Sequence, residues 1–160
     1  MQYSDLLDKG KFQDLKKFCL TMWKQEKDKK ALSYYGISLL LNKEYEKARG
    51  YFGKRYLKSK DRMLIIYHAM ANIGLGEIEK AQKDLLYELK QEKEIPVLLQ
   101  IFRIFLVINN FPNAKKAIKK AFSIDFDKTV SSLEMYYKEF GETKLAEETV
   151  QLLKDLNLKS

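Results

Sequence analysis

Gly10, Lys43, Gly76 and Asn109 stand 33 residues apart, and the residues after each of them recur in type. Two positions on come Phe12, Tyr45, Ile78 and Phe111. Five on come Leu15, Ala48, Ala81 and Ala114, and nine on come Cys19, Phe52, Leu85 and Ile118. With the next interval shortened by one residue the series continues as Gly141, Thr143, Ala146 and Val150, and only Thr143 breaks the apolar theme. A fixed period of this length marks a chain built by stacking one supersecondary unit on copies of itself. Gly or Asn tolerates the left-handed backbone that ends one helix and turns into the next. A large apolar residue then wedges the turn, a small one lets two helices approach, and a bulky one returns to the same face four residues later. Lys43 is the odd member, and has to accept a costly conformation or use a different turn.

The marks divide the chain into helices. First helices are predicted at about 29–42, 62–75, 95–109 and 128–140, and second helices at about 11–25, 44–58, 77–91, 111–123 and 144–157. A short opening helix at about 3–9 has Ser4 as a candidate cap. Pro96 and Pro112 fall in first turns, where a missing N–H costs little. Two prolines and seven glycines are too few for the turns of an all-β protein, and 46% hydrophobic residues suffice for a core. The expected fold is all-α: one domain over residues 1–160, a right-handed superhelix (an α-solenoid) of antiparallel helix pairs. Its repeats fall at about 1–27, 28–60, 61–93, 94–126 and 127–160.

The stretches ALSYYGISLLLNKEYEKARGYF and YHAMANIGLGEIEKAQKDL resemble tetratricopeptide repeats. The family's small residue, turn, aromatic, alanine and bulky residue have counterparts in Gly36, Lys43, Tyr45, Ala48 and Phe52. In the following repeat they are Ala69, Gly76, Ile78, Ala81 and Leu85. The two best repeats cover about residues 29–93. The family's tryptophan and closing proline are absent, its later alanine survives only as Ala121, and the period is 33 rather than about 34. The resemblance implies a scaffold that holds other proteins, with first helices lining a concave groove and second helices forming an outer wall.

Carried over by register, the groove positions are Ile37, Leu40 and Leu41, then Met63, Ile66, Met70 and Ile73, then Leu99, Arg103 and Leu106. This face is mostly apolar, although Lys30, Ser33, Lys128, Ser131 and Lys138 also fall on it by register, and the other faces of the same helices are apolar too. A helix apolar all round is buried all round. Either a partner segment, the chain's own end or a second copy covers the groove, or tight curvature buries these positions between neighbouring helices. Methionines suit an adaptable seat. The family's peptide-carboxylate clamp needs lysine and asparagine where Ser33 and Ile37 stand, which argues against binding of chaperone C-terminal tails. A protein or peptide partner in the groove is expected, in an assembly factor, a complex subunit or a secretion-type chaperone. Self-association is the structural alternative.

The formal charge of +8 comes mostly from lysine, with only Arg49, Arg55, Arg62 and Arg103 as arginines. Lysines interleaved with acids read as solvated helix faces. The runs Lys54–Arg62 and Lys115–Lys120 keep a nucleic-acid or anionic-membrane surface as the rival reading, although an apolar groove is a poor reader of bases. His68 alone cannot form a zinc set, and no histidine-based nucleophile arrangement or phosphate loop is visible. No enzyme activity, catalytic residue, metal or cofactor is expected. Cys19 is the only cysteine, which excludes an internal disulfide and suits a reducing compartment. The start, MQYSDLLDKGKF, carries no secretory signal pattern. The most apolar stretch, Ile95 to Ile108, is too short to span a bilayer and contains Gln100 and Arg103. A soluble, cytoplasmic protein is expected.

Overall fold

The computed structural model describes residues 3–139, all-helical and with no strand among the described residues. The helices are α1 (Tyr3–Asp8), α2 (Phe12–Glu26), α3 (Lys29–Leu41), α4 (Tyr45–Ser59), α5 (Arg62–Gly74), α6 (Ile78–Gln91), α7 (Ile95–Val107), α8 (Phe111–Ile124) and α9 (Phe126–Glu139). Each agrees with its expected span to within about two residues. The expected helix at 144–157 and the turn at Gly141 lie outside the described residues. Ser4 sits inside α1, which already includes Tyr3, so it does not cap that helix.

The period is written into the backbone. Gly10, Lys43, Gly76 and Asn109 all take left-handed φ values, of 69°, 61°, 82° and 61°. At each turn the N–H of that residue donates three residues back at 3.0–3.1 Å. The N–H of the next residue (Lys11, Glu44, Glu77, Asn110) donates five residues back at 2.8–2.9 Å. This is the Schellman pattern, which satisfies carbonyls that a helix end would otherwise orphan. Lys43 therefore keeps the shared turn and bears its cost. Lys43→Gly should raise stability by about 1 kcal/mol, and Gly76→Ala should lower it by a similar amount, both read from chemical melts.

A second series joins the other helix ends. Lys27 and Lys60, again 33 residues apart, close α2 and α4 in the left-handed region at φ 52° and 59°. Asp28 and Asp61 follow, and their carboxylates accept the backbone N–H of Lys30 and Met63 at 3.0 Å, capping α3 and α5. The ammonium groups of Lys27 and Lys60 lie 5.1 and 5.3 Å from the ring centres of Trp23 and Tyr56.

The chain forms two compact units, residues 1–84 and 85–160. In the first, neighbouring helices run antiparallel. The start of α2 meets the end of α3 where the Asn42 side-chain amide donates to the Phe12 carbonyl and Lys16 pairs with Glu44 at 2.9 Å. The start of α4 meets the end of α5 where the Tyr45 ring presses on Gly74 and Arg49 pairs with Glu77 at 2.7 Å. These two ion pairs are themselves one period apart. Leu15, Cys19, Leu39, Ala48, Phe52, Ile66 and Ala81 are buried, each large side chain contributing about 1.5–3 kcal/mol. Gly36 faces the Phe52 ring so closely that an added Cβ would stand 2.5 Å from its edge.

In the second unit α7 is the core, with Ile95, Val97, Leu98, Leu99, Ile101, Phe102, Ile104 and Phe105 buried. Helix α8 packs Ala114, Ala117, Ile118, Ala121 and Phe122 inward. The alanines of the repeat series (Ala48, Ala81 and Ala114) are all buried, as expected of close helix contacts. Lys120 donates from Nζ to the Leu89 and Lys90 carbonyls at the end of α6, and the Glu92 carboxylate accepts the N–H of Lys93 and Glu94. Thr129 is buried in α9 and ties it to α8 by donating to the Ala121 and Asp125 carbonyls.

Candidate functional site

Three of the expected groove residues belong to the core. Ile66 is fully buried, and Leu40 and Leu99 are buried as well. Ile66 has no surface to offer a partner, and Leu40 and Leu99 offer only 8% of theirs, so these three can contribute little to a contact surface. The reason is register. Ser33, Ile66 and Leu99 are one position in three repeats, exposed at Ser33 and buried at the other two.

In the first unit the remaining positions keep partial access. Ile37, Met63 and Ile73 are half-buried, Leu41 is 38% exposed and Met70 37%. Helices α3 and α5 touch directly, although α4 intervenes in sequence. On α3, Ile37 and Leu41 are four residues apart. On α5, Met63 and Met70 are seven apart with Ile73 three beyond, so each set shares one face. Both sets are apolar and partly exposed.

In the second unit Arg103 and Leu106 are half-buried. Arg103 occupies the position of Ile37 and Met70, and its guanidinium donates to the Gln100 side chain at 2.9 Å. The neighbouring Val107 stands well exposed at the end of α7.

The titratable groups are occupied with holding the structure. Burial pushes the Cys19 thiol up to about 11, which keeps it protonated at neutral pH and a poor nucleophile. Burial also pulls His68 below its ordinary value, so the ring is neutral, and a Cβ on Gly53 would touch it. The Tyr3 hydroxyl donates to Asp28 at 2.7 Å and, with the Lys30 N–H, holds that carboxyl below the usual range. Lys16 does the same for Glu44. Among the described residues no group of three or more His, Cys, Asp or Glu side chains could hold a metal ion, and no helix is long and apolar enough to cross a membrane.

One feature of the first unit is not visible along the linear chain. The basic segments 24–30 and 54–62, far apart in sequence, are brought to one end of the unit by the antiparallel order of α2 to α5. The run Lys54–Arg62 is visible in the sequence by itself; its juxtaposition with 24–30 is hinted at only by the repeated Lys-Asp pair at 27–28 and 60–61 behind Trp23 and Tyr56.

Compared with known proteins, the chain matches no family model, no curated protein and no solved structure.

Proposed function

We propose that the chain is a protein-interaction module of tetratricopeptide-like character that works by binding rather than by catalysis, with its lone cysteine reduced in the cytoplasm. Its occupant is an apolar or amphipathic helix of a partner protein. The observation that carries this reading is the strip of Ile37, Leu41, Met63, Met70 and Ile73, partly exposed on the touching helices α3 and α5. Leu41 and Met70 are each more than a third exposed. Methionine and branched aliphatic side chains suit a seat that adapts to apolar anchors spaced at i, i+3, i+4 and i+7. In the second unit, Arg103 and Leu106 at the equivalent positions would meet a carboxylate and an apolar anchor of the same kind of ligand.

The test is selection from a displayed library of amphipathic helical peptides. Peptides recovered on the native chain should lose at least tenfold in affinity on Leu41→Glu/Met70→Glu, since each anchor seated on apolar surface is worth about 1–2 kcal/mol. Reversing Lys115, Lys116 and Lys119 on α8 should change little. Recovery of no peptide that depends on Leu41 and Met70 would refute the reading. Self-association of the native chain, abolished by the same pair, would instead identify a second copy as the occupant.

A further inference from the structure

The first unit has two chemically different ends. At the end of the Schellman turns, cations are matched to acids: Lys16 and Lys47 with Glu44, Arg49 with Glu46 and Glu77. At the other end, segments 24–30 and 54–62 hold nine cations against three acids. Two of those acids, Asp28 and Asp61, are engaged as helix caps. Apart from the half-buried Arg55, all nine cations are exposed. The same end leaves Leu57 70% exposed and Trp23 37% exposed, each flanked in sequence by a lysine.

We propose that this end of the unit docks on an anionic membrane surface. The lysines meet lipid phosphates and carboxylates, and Leu57 and Trp23 enter the boundary beneath them. Charge complementarity supplies the attraction, since basic residues near an anionic leaflet add up along a surface. Apolar tips among cations supply the depth: tryptophan and tyrosine favour the headgroup level, and lysine stems reach past them to the charged layer. Single exposed leucines are ordinary on protein surfaces. Leu57 differs in standing at the centre of the basic cluster, between Tyr56 and Lys58, where a purely electrostatic contact has no use for it. Nucleic acid fits less well. The Trp23 and Tyr56 rings that could stack on bases each have a face occupied by Lys27 or Lys60.

The test uses the full chain with vesicles of phosphatidylcholine containing about a third phosphatidylserine, and vesicles of phosphatidylcholine alone, in co-sedimentation at low and physiological salt. Partitioning should favour the anionic vesicles at least tenfold and weaken with salt. Lys54→Glu/Lys58→Glu should lower it by more than about tenfold. Leu57→Ser, which leaves the charge unchanged, should lower it by about threefold. Reversing Lys115, Lys116 and Lys119 on α8 should leave it within about twofold, because those lysines belong to the other unit and not to the basic end. Circular dichroism checks that each variant folds, and every changed side chain is exposed. No preference for anionic vesicles overturns the proposal. So does an equal loss from the α8 reversal, which would mean net charge alone. Binding of single-stranded RNA at physiological salt that is stronger than vesicle binding and indifferent to Leu57→Ser would also overturn it, in favour of a nucleic-acid surface.

Discussion

Ile66→Glu should unfold residues 1–84, whereas Met70→Glu, one helical turn further along α5, should leave the melting temperature within a few degrees of the native value. Ile66 has no exposed surface, so its replacement places a carboxylate in the core with no water to solvate it. The group would either be ionised at a cost of several kcal/mol or take up a proton and still lack hydrogen-bond partners. A loss of at least ~4 kcal/mol is expected, which is most of the stability a domain of this size has. Met70 is more than a third exposed, and a glutamate there can turn into solvent. Circular dichroism melts of the two variants decide between them. Equal tolerance would mean that the α5 helix is turned about its axis relative to the structure. Equal collapse would make Met70 a core residue, and the proposed docking strip would lose one of its two most accessible members.

The second large effect is at the contact between Gly36 and Phe52. Phe52 is almost fully buried, and its ring lies edge-on to Tyr51 and tilted against Tyr67, with centroids 5.7 and 5.2 Å away. Phe52→Ala should cost about 3–5 kcal/mol from lost transfer energy and the cavity left behind. Gly36→Ala should cost about 1–3 kcal/mol for the opposite reason, since the added methyl has to displace that ring. The double variant should cost at least ~1 kcal/mol less than the sum of the two, because the methyl enters space the ring has vacated. Urea melts of the four proteins measure the cycle. Additive costs would show that the ring moves aside freely and that glycine at this position is not a packing requirement.

Most of the fold is legible in the sequence because its signal is local and repeated. A left-handed turn, an apolar wedge and a small residue recur at one spacing, and each imposes geometry whatever the rest of the chain does. Lys43 shows how far this holds: the residue type departs from the series, yet the backbone adopts the same φ and the same two hydrogen bonds. The docking strip is only partly legible. Helices α3, α5 and α7 are apolar on several faces, and an apolar residue in such a helix has no periodic clue to whether it faces a neighbouring helix or the outside. Register alone puts Leu40, Ile66 and Leu99 in the groove for that reason, while of the same set Leu41 and Met70 do retain access. The basic end is hidden for a different one. Its two segments are separated by α3 and half of α4, and only the antiparallel order of the helices brings them to one side.

The ion pairs Lys16–Glu44 and Arg49–Glu77 join positions that are equivalent under a shift of one period. The turns at Lys43 and Gly76 are equivalent too, down to their hydrogen bonds. A gene that lost the codons for residues 44–76 would therefore join Lys43 to Glu77 within an intact Schellman turn. Lys16 would then face Glu77 where it had faced Glu44, and the contacts that α3 makes with α4, Gly36 against Phe52 among them, would have to be remade with the residues one period on. Duplicating the same codons would lengthen the stack by two helices on the same terms. The equivalence of the turns means that a change of one whole period leaves the backbone of the junction as it was, whereas a fractional change would break both of its hydrogen bonds.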